Sequence, residues 1–101
     1  MKKQLLFIMM ALLPMVVSAF TGEAVIDGIK YKINTNTQSA EVIKNNYSGA
    51  IIIPAFVEYE DVVCNVTSIA QSAFSGCNTL TSILIPNSVT TIANMAFQNC
   101  I

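Results

Sequence analysis

Three cysteines and one cluster of carboxylates are the residues of this 101-residue sequence whose side chains could carry out chemistry. The cysteines are Cys64, Cys77 and Cys100, and the carboxylates are Glu58, Glu60 and Asp61. A cysteine nucleophile normally needs a histidine base, and a zinc site needs about four ligands with close pairs. The sequence has no histidine, and its cysteines are scattered. We therefore expect no catalytic residue, no metal site and no cofactor, and a protein that is not an enzyme.

The acidic cluster has three possible interpretations. Neighbouring carboxylates could form a calcium site or the acid–base pair of a hydrolase. They could also form the solvated tip of a β-hairpin that turns at Glu60-Asp61, with strands over Phe56–Tyr59 and Val62–Val66. We favour the hairpin tip, because a short run of charge is usually a solvated surface feature.

Composition excludes two broad classes of protein. Hydrophobic residues make up 53% of the sequence and charged residues 11%, with a formal net charge of −1. Intrinsic disorder needs low hydrophobicity and high net charge, and nucleic-acid binding needs a clustered basic face. Every charged residue lies at or before Asp61. We therefore expect a folded domain that does not bind nucleic acid.

The first 19 residues have the pattern of a secretory signal peptide. Lys2 and Lys3 precede an apolar stretch of 13 residues, Leu5–Val17, and small residues at Val17-Ser18-Ala19 favour cleavage before Phe20. A membrane-spanning helix needs about 20 apolar residues, which is more than this stretch provides. We expect a secreted or cell-surface protein with no membrane span after cleavage near Ala19.

An internal repeat occupies the second half of the sequence. Residues 66–77 align with residues 89–100 without gaps at an offset of 23, and seven of the twelve positions are identical. The segment 51–54 also resembles 83–86 at an offset of 32, so about nine residues are inserted in the first repeat. A period of 20 to 29 residues is typical of leucine-rich-repeat coils, which must stack to bury their apolar sides.

The repeat predicts which side chains point into the coil. Leu80, Ile83 and Ile85 are spaced to face inward along a strand, which leaves Ser82 and Leu84 pointing outward as candidates for a binding face. The two Ala-Phe pairs are expected on tight 3₁₀ or helical turns. The predicted repeat core consists of Ile69, Phe74, Cys77, Leu80, Ile83, Ile85, Val89, Ile92, Phe97 and Cys100.

The pattern Leu80-x-x-Ile83-x-Ile85-Pro86-x-x-Val89-x-x-Ile92-x-x-x-Ala96-Phe97-x-x-Cys100 resembles the BspA-like class of leucine-rich repeat. The resemblance covers residues 51–101. It implies a mainly β, right-handed solenoid, here of about two coils with short strands. It also implies a secreted or surface protein that binds rather than catalyses, with adhesion to host matrix proteins attributed to some members.

The residues before the repeat predict an N-terminal β cap. Asp27-Gly28 is a strong hairpin turn signal, and Ile29, Tyr31 and Ile33 alternate with polar residues behind it. Such a cap would cover one end of the solenoid core. We therefore divide the sequence into a signal peptide at 1–19, a cap at 20–49 and leucine-rich repeats at 50–101.

Cys77 and Cys100 occupy the same repeat position and should stack one coil apart. Neighbouring strands are about 4.8 Å apart, which a disulfide tolerates, and export would permit oxidation. A ladder of small buried thiols is the alternative, and we favour it. Cys64 lies in the insertion and has no evident partner in the sequence.

Two classes of function remain open. The chain could be a surface module that binds an extracellular protein or glycan, through protein–protein interaction or adhesion. It could instead be a non-binding N-terminal cap, or a truncated fragment of a longer repeat protein. The last coil stops in mid-repeat at Ile101, so we expect that further repeats of the same chain belong after it.

Overall fold

Residues 20–100, which are the ones that the structure describes, form eight β-strands and no helix in this computed structural model. The predicted signal peptide lies outside the described residues. The strands are β1 (Thr21–Ile26), β2 (Ile29–Asn34), β3 (Ser39–Val42), β4 (Gly49–Ile52), β5 (Phe56–Tyr59), β6 (Val62–Ile69), β7 (Leu80–Leu84) and β8 (Thr91–Ile92). The predicted mainly β fold is confirmed.

An antiparallel hairpin opens the fold at the predicted turn. Asp27 and Gly28 connect β1 to β2 with φ angles of 50° and 85°, the left-handed conformation that a two-residue hairpin turn requires. Ile29, Tyr31 and Ile33 are buried on one face of β2, as their alternation predicts. The hairpin therefore contributes apolar side chains to the same core as the repeats.

Two parallel ladders of strands form the repeat region. In the first, β3 pairs with β6, and β6 pairs with β8. In the second, β4 pairs with β7. Ile69 lies beside Ile92, which is the predicted offset of 23, and Ile51 lies beside Ile83, which is the predicted offset of 32. Both repeat alignments read from the sequence thus describe physical neighbours.

The parallel pairing begins earlier than the predicted boundary between cap and repeats. Strand β3 lies within residues 20–49, yet it pairs in parallel with β6 as a repeat strand would. It is also the antiparallel partner of β2. A division at 49/50 falls after the first residue of β4, and β3 on its N-terminal side pairs with strands of both parts.

The inserted segment forms a hairpin with the predicted limits of its first strand. Strand β5 turns into β6 at Glu60 and Asp61, whose φ angles are 50° and 69°. The second strand is longer than predicted, because β6 continues past Val66 to Ile69. Its first half pairs with β5, and its second half pairs with β3 and β8.

The chain between β6 and β7 runs through tight turns with hydrogen bonds between residues three apart. Ala73 N–H donates to Ala70 O at 3.1 Å, and Cys77 N–H donates to Phe74 O at 3.2 Å. These turns do not merge into a helix, because Ser72 and Gly76 have φ angles of 61° and 75° and so leave the helical region.

The turns of the two coils are themselves joined. Phe74 N–H donates to Ala96 O at 2.7 Å, and Gly76 N–H donates to Gln98 O at 2.9 Å. Each of these bonds runs from a residue of the first turn to one of the second. The coils are thus held together by hydrogen bonds at the turns as well as along the strand ladders.

Candidate binding surface

The outward side of the β4–β7 pair is the candidate binding surface, formed by Ala50, Ile52, Ser82 and Leu84. In the register of the two strands Ala50 lies beside Ser82, and Ile52 lies beside Leu84. The side chains of Ile52 and Leu84 are 68% and 63% exposed. Ser82 and Leu84 thus share the outward face proposed from the sequence, and β4 contributes two further residues to it.

The pair Ile52–Leu84 differs from the exposed apolar side chains on β1, β5 and β6. Val25 lies beside Lys30, Phe56 beside Asn65, and Val63 beside Glu58. Those residues each have a polar or charged neighbour across the strands, whereas Ile52 and Leu84 have each other. Side by side, the two form an uncharged apolar contact area on the solvent side of a sheet.

The side chains on the opposite side of β4 and β7 pack against the core. Ile53, which follows β4, is 2% exposed, and Ile51 and Ile83 are partly buried against the core cluster. The alternation of strand side chains then places Ile52 and Leu84 outward. Because the buried residues determine the register, the positions of the exposed pair are set by the core.

A column of three aromatic rings runs through the coils. Tyr47 and Phe74 have ring centroids 4.7 Å apart, and Phe74 and Phe97 have centroids 5.3 Å apart with nearly parallel planes, at 4°. Phe74 is fully buried between its two neighbours. Tyr47 lies outside the 23-residue repeat, but its ring stands before the two repeat phenylalanines in the same column.

The hydroxyl of Tyr47 connects this column to the N-terminal hairpin. It donates to Ile43 O at 2.7 Å and accepts from Lys30 N–H at 3.1 Å. Burial raises the pKa of Tyr47 above its ordinary value. Burial likewise raises the pKa of Tyr31 to about 12. Both phenols are therefore neutral over the physiological range of pH.

The residues predicted as the repeat core fall into three groups. Ile69, Phe74 and Cys77 are buried. Leu80, Ile83, Ile85, Val89 and Cys100 are partly buried and pack against the core cluster. Ile92 and Phe97 depart from the expected burial, at 49% and 36% exposed. These two lie in the second coil, and in the described part of the chain no strand pairs with the far edge of β8.

The three cysteines are free thiols in the described structure. The thiol of Cys77 donates to Asn45 O at 3.5 Å, and that of Cys100 donates to Phe74 O at 2.6 Å. Equivalent cysteines thus each bond to a carbonyl of the preceding turn. Cys64 is fully buried, and burial raises the pKa of its thiol.

Neither a metal site nor a membrane helix is found among residues 20–100. No group of three or more histidine, cysteine or acidic side chains there could hold a metal ion. Within the same residues no helix has the length and hydropathy to cross a bilayer. Glu60 and Asp61 are exposed at the hairpin turn, where the sequence predicts a solvated tip.

Comparison with known families decides the identity of the repeat. Residues 58–101 match the family described as "BspA type Leucine rich repeat region (6 copies)". Residues 58–101 are a BspA-type leucine-rich repeat region. The resemblance predicted from the Leu80–Cys100 pattern is thereby confirmed. No curated protein matches the chain at a significant level.

Solved structures of bacterial leucine-rich repeat proteins resemble this chain. A leucine-rich repeat protein from Bacteroides ovatus is 36% identical, with a TM-score of 0.66 over 76% of this chain and 21% of that one. One from Bacteroides capillosus is 26% identical, with a TM-score of 0.65 over 78% of this chain and 59% of that one. This chain thus spans about a fifth of the first protein and three fifths of the second.

A leucine rich cell surface protein from Faecalibacterium prausnitzii shares the fold at lower identity. It is 18% identical, with a TM-score of 0.51 over 83% of this chain and 28% of that one. All three comparisons agree that the mainly β repeat architecture is that of leucine-rich-repeat proteins.

Proposed function

We propose that this repeat module is exported to the cell surface and binds an extracellular protein through the β4–β7 outer face. The adjacent exposed pair Ile52–Leu84 is the observation that supports this most directly. An apolar patch that stays in water costs free energy, and such patches mark contact sites for protein partners. The repeat continues the same face from coil to coil, which suits a large partner.

The chemistry of the face favours a protein over a glycan as the partner. Ile52 and Leu84 supply aliphatic area, Ala50 and Ser82 add small side chains, and none of the four is charged or aromatic. Desolvated aliphatic side chains gain most from apolar partner side chains. Binding should therefore depend weakly on salt, since no charge on the face needs screening.

The surface location is supported by the relatives and by the leader. Residues 58–101 match the BspA-type repeat family, and a leucine rich cell surface protein shares this fold. Residues 1–19 have the composition of a secretory leader. An exposed apolar face is then available to a partner outside the cell.

The experiment that tests this proposal compares binding by face variants of the exported chain. Each is measured against immobilised extracellular-matrix proteins by surface plasmon resonance, with the longer bacterial relatives measured in parallel. Ile52→Lys and Leu84→Lys should each weaken binding at least tenfold, because loss of a central hot-spot residue costs about 2 kcal/mol or more and about 1.4 kcal/mol is a factor of ten. Val25→Lys is the matched control, since Val25 is 60% exposed on β1 and away from the face.

A second candidate is that the segment covers the end of a solenoid and binds nothing itself. The N-terminal hairpin contributes Tyr31 and Ile33 to the core cluster that the coils share, as a cap would. If this chain binds no matrix protein while a form with more repeats does, the capping role is favoured. If both forms bind and both lose binding on Leu84→Lys, the binding role is favoured.

A further inference from the structure

A row of hydrogen bonds with a single direction joins the turns of the two coils. Each bond runs from an N–H of the first turn to a carbonyl of the second: Ser72 to Asn94 at 3.4 Å, Phe74 to Ala96 at 2.7 Å and Gly76 to Gln98 at 2.9 Å. The donors are alternate residues, and the acceptors are alternate residues that run in the same direction. In this row the first turn is thus the donor and the second turn the acceptor.

The second turn repeats the donor row of the first. The offset of 23 carries the three donors onto Met95, Phe97 and Asn99. Met95 and Asn99 have φ angles of 60° and 59°, close to the 61° and 75° of their counterparts, so the two turns share this backbone conformation. Within residues 20–100 no backbone carbonyl accepts from these three N–H groups. By the repeat geometry they point away from the first coil.

An apolar groove lies beside these donors. It has a volume of about 340 Å³, and its lining includes Leu80, Ile83, Ile85 and the ring of Phe97. That ring is 36% exposed, and its one stacking partner in the described part of the chain is Phe74. Phe97 therefore belongs to both the donor row and the groove, which together form the open end of the second coil.

The opposite end of the stacked turns is covered by the protein itself. Ser75 O, the counterpart of Gln98 O, accepts from Lys44 Nζ at 3.3 Å. The ring of Tyr47 packs against Phe74 with centroids 4.7 Å apart. The stack thus has a covered acceptor end and an open donor end. The open end is complementary to a segment that brings carbonyl oxygens.

We propose that the open end is a second binding site, which takes an uncharged peptide segment of another protein. Three carbonyls at alternate residues of that segment accept from Met95, Phe97 and Asn99, and one apolar side chain enters the groove against the ring of Phe97. The segment runs parallel to residues 95–99, as the second turn runs along the first. Main-chain hydrogen bonds together with a pocket for a side chain are a known mode of peptide recognition.

The polarity of the row disfavours a second copy of this chain as the occupant. Two copies that met through their open ends would place donors against donors. Contact of an open end with the other end of a second copy is blocked, because Lys44 and Tyr47 cover the acceptor side. No charged residue follows Asp61, so an uncharged segment meets no unpaired charge at this end, and its binding should depend weakly on salt.

The test uses the purified 101-residue chain and a synthetic peptide with the sequence of residues 89–99, acetylated and amidated at its ends. This sequence supplies the acceptors for the donors of the first turn. Amide hydrogen exchange is followed by nuclear magnetic resonance. With saturating peptide, exchange at Met95, Phe97 and Asn99 should slow at least about tenfold, while the three bonded amides of the first turn keep their rates.

A charge at the ring position should block the site. Phe97→Glu should weaken peptide binding at least about tenfold, because it replaces the groove contact with a carboxylate beside carbonyl acceptors. Val25→Glu makes the same change on β1, where Val25 is 60% exposed, and should leave binding unchanged. If Phe97→Glu disturbs the fold, a peptide in which glutamate replaces its phenylalanine tests the same contact on the unaltered chain.

Three results would overturn the proposal. The first is equal exchange at the three amides with and without saturating peptide, and the second is equal binding of the phenylalanine and glutamate peptides. The third is protection that appears without peptide and rises with chain concentration, which would identify a second copy as the occupant. Leu84→Lys should bind the peptide like the parent, so this site and the β4–β7 outer face can fail separately.

Discussion

Replacement of Tyr47 by phenylalanine isolates the connection between the hairpin and the coils. The variant keeps the ring that packs 4.7 Å from Phe74 and deletes only the hydroxyl. That hydroxyl bonds to Ile43 O at 2.7 Å and to Lys30 N–H at 3.1 Å. The change therefore removes two hydrogen bonds at a buried position without creating a cavity.

The expected cost follows from those two bonds. Each net intramolecular hydrogen bond contributes about 1 kcal/mol, so Tyr47→Phe should lower the free energy of unfolding by about 2 kcal/mol. For a domain of this size 1 kcal/mol corresponds to about 4–8 °C, so the melting temperature should fall by about 8–16 °C. The substitution also leaves the partly buried Lys30 N–H without its acceptor, which favours the upper part of that range.

Urea unfolding followed by circular dichroism measures the effect, with thermal melting as a second readout. Tyr59→Phe is the matched control, because Tyr59 stacks on Phe20 but its hydroxyl bonds to no group among residues 20–100. The m-value should be unchanged, since no surface is newly exposed. If Tyr47→Phe costs no more than Tyr59→Phe, the hydroxyl does not join the hairpin to the coils and the reasoning is refuted.

Three further predictions concern the core, the pH dependence and a turn. Phe74→Ala should lower the free energy of unfolding by about 3–5 kcal/mol and Phe97→Ala by less, because Phe74 is fully buried and Phe97 is 36% exposed. Urea unfolding of the two variants measures both costs, and equal costs would contradict this. The pKa of Tyr31 is about 12 in the folded chain and 10.0 in the unfolded chain. The stabilisation that the neutral, buried phenol provides is therefore complete below pH 10. It is lost as the pH rises to 12, because the unfolded chain gives up this proton first. The free energy of unfolding should then fall by about 1.4 kcal/mol per pH unit between those values, and a flat profile in urea titrations would refute this. Asp61→Gly should raise the melting temperature by a few degrees, because Asp61 has a φ angle of 69° that glycine adopts without strain, while an unchanged or lower value would count against it.

Local signals in the sequence predicted the turns and the repeat, because those depend on residues near one another. Asp27-Gly28 specifies its hairpin through backbone conformation alone. The match of 51–54 with 83–86 contains the neighbours Ile52 and Leu84, and it could have placed Ile52 on the candidate surface beside Leu84. The alignment at an offset of 32 therefore already contained the information that β4 contributes to that surface.

Other features depend on contacts that no periodic pattern carries. Tyr47 joins the column of repeat phenylalanines at a spacing that differs from 23, so the alignment does not reveal it. Phe20 meets Tyr59 from the far end of the sheet, which only the curvature of the whole sheet determines. Strand β3 is too short for its sequence to indicate whether a neighbouring strand is antiparallel or parallel. In the structure β2 is its antiparallel neighbour and β6 its parallel neighbour.

The pairing of strand β6 determines how the molecule unfolds. It is the antiparallel partner of β5 and the parallel partner of both β3 and β8. In long solenoids each repeat touches only its neighbours, and unfolding can spread from one end as separate steps. Here a single strand belongs at once to the insertion, the cap and both coils, so its release breaks all of these pairings together. Cap and repeats should therefore melt as one cooperative unit, and a lesion in the β5–β6 hairpin should destabilise the distant β4–β7 face as much as its own surroundings.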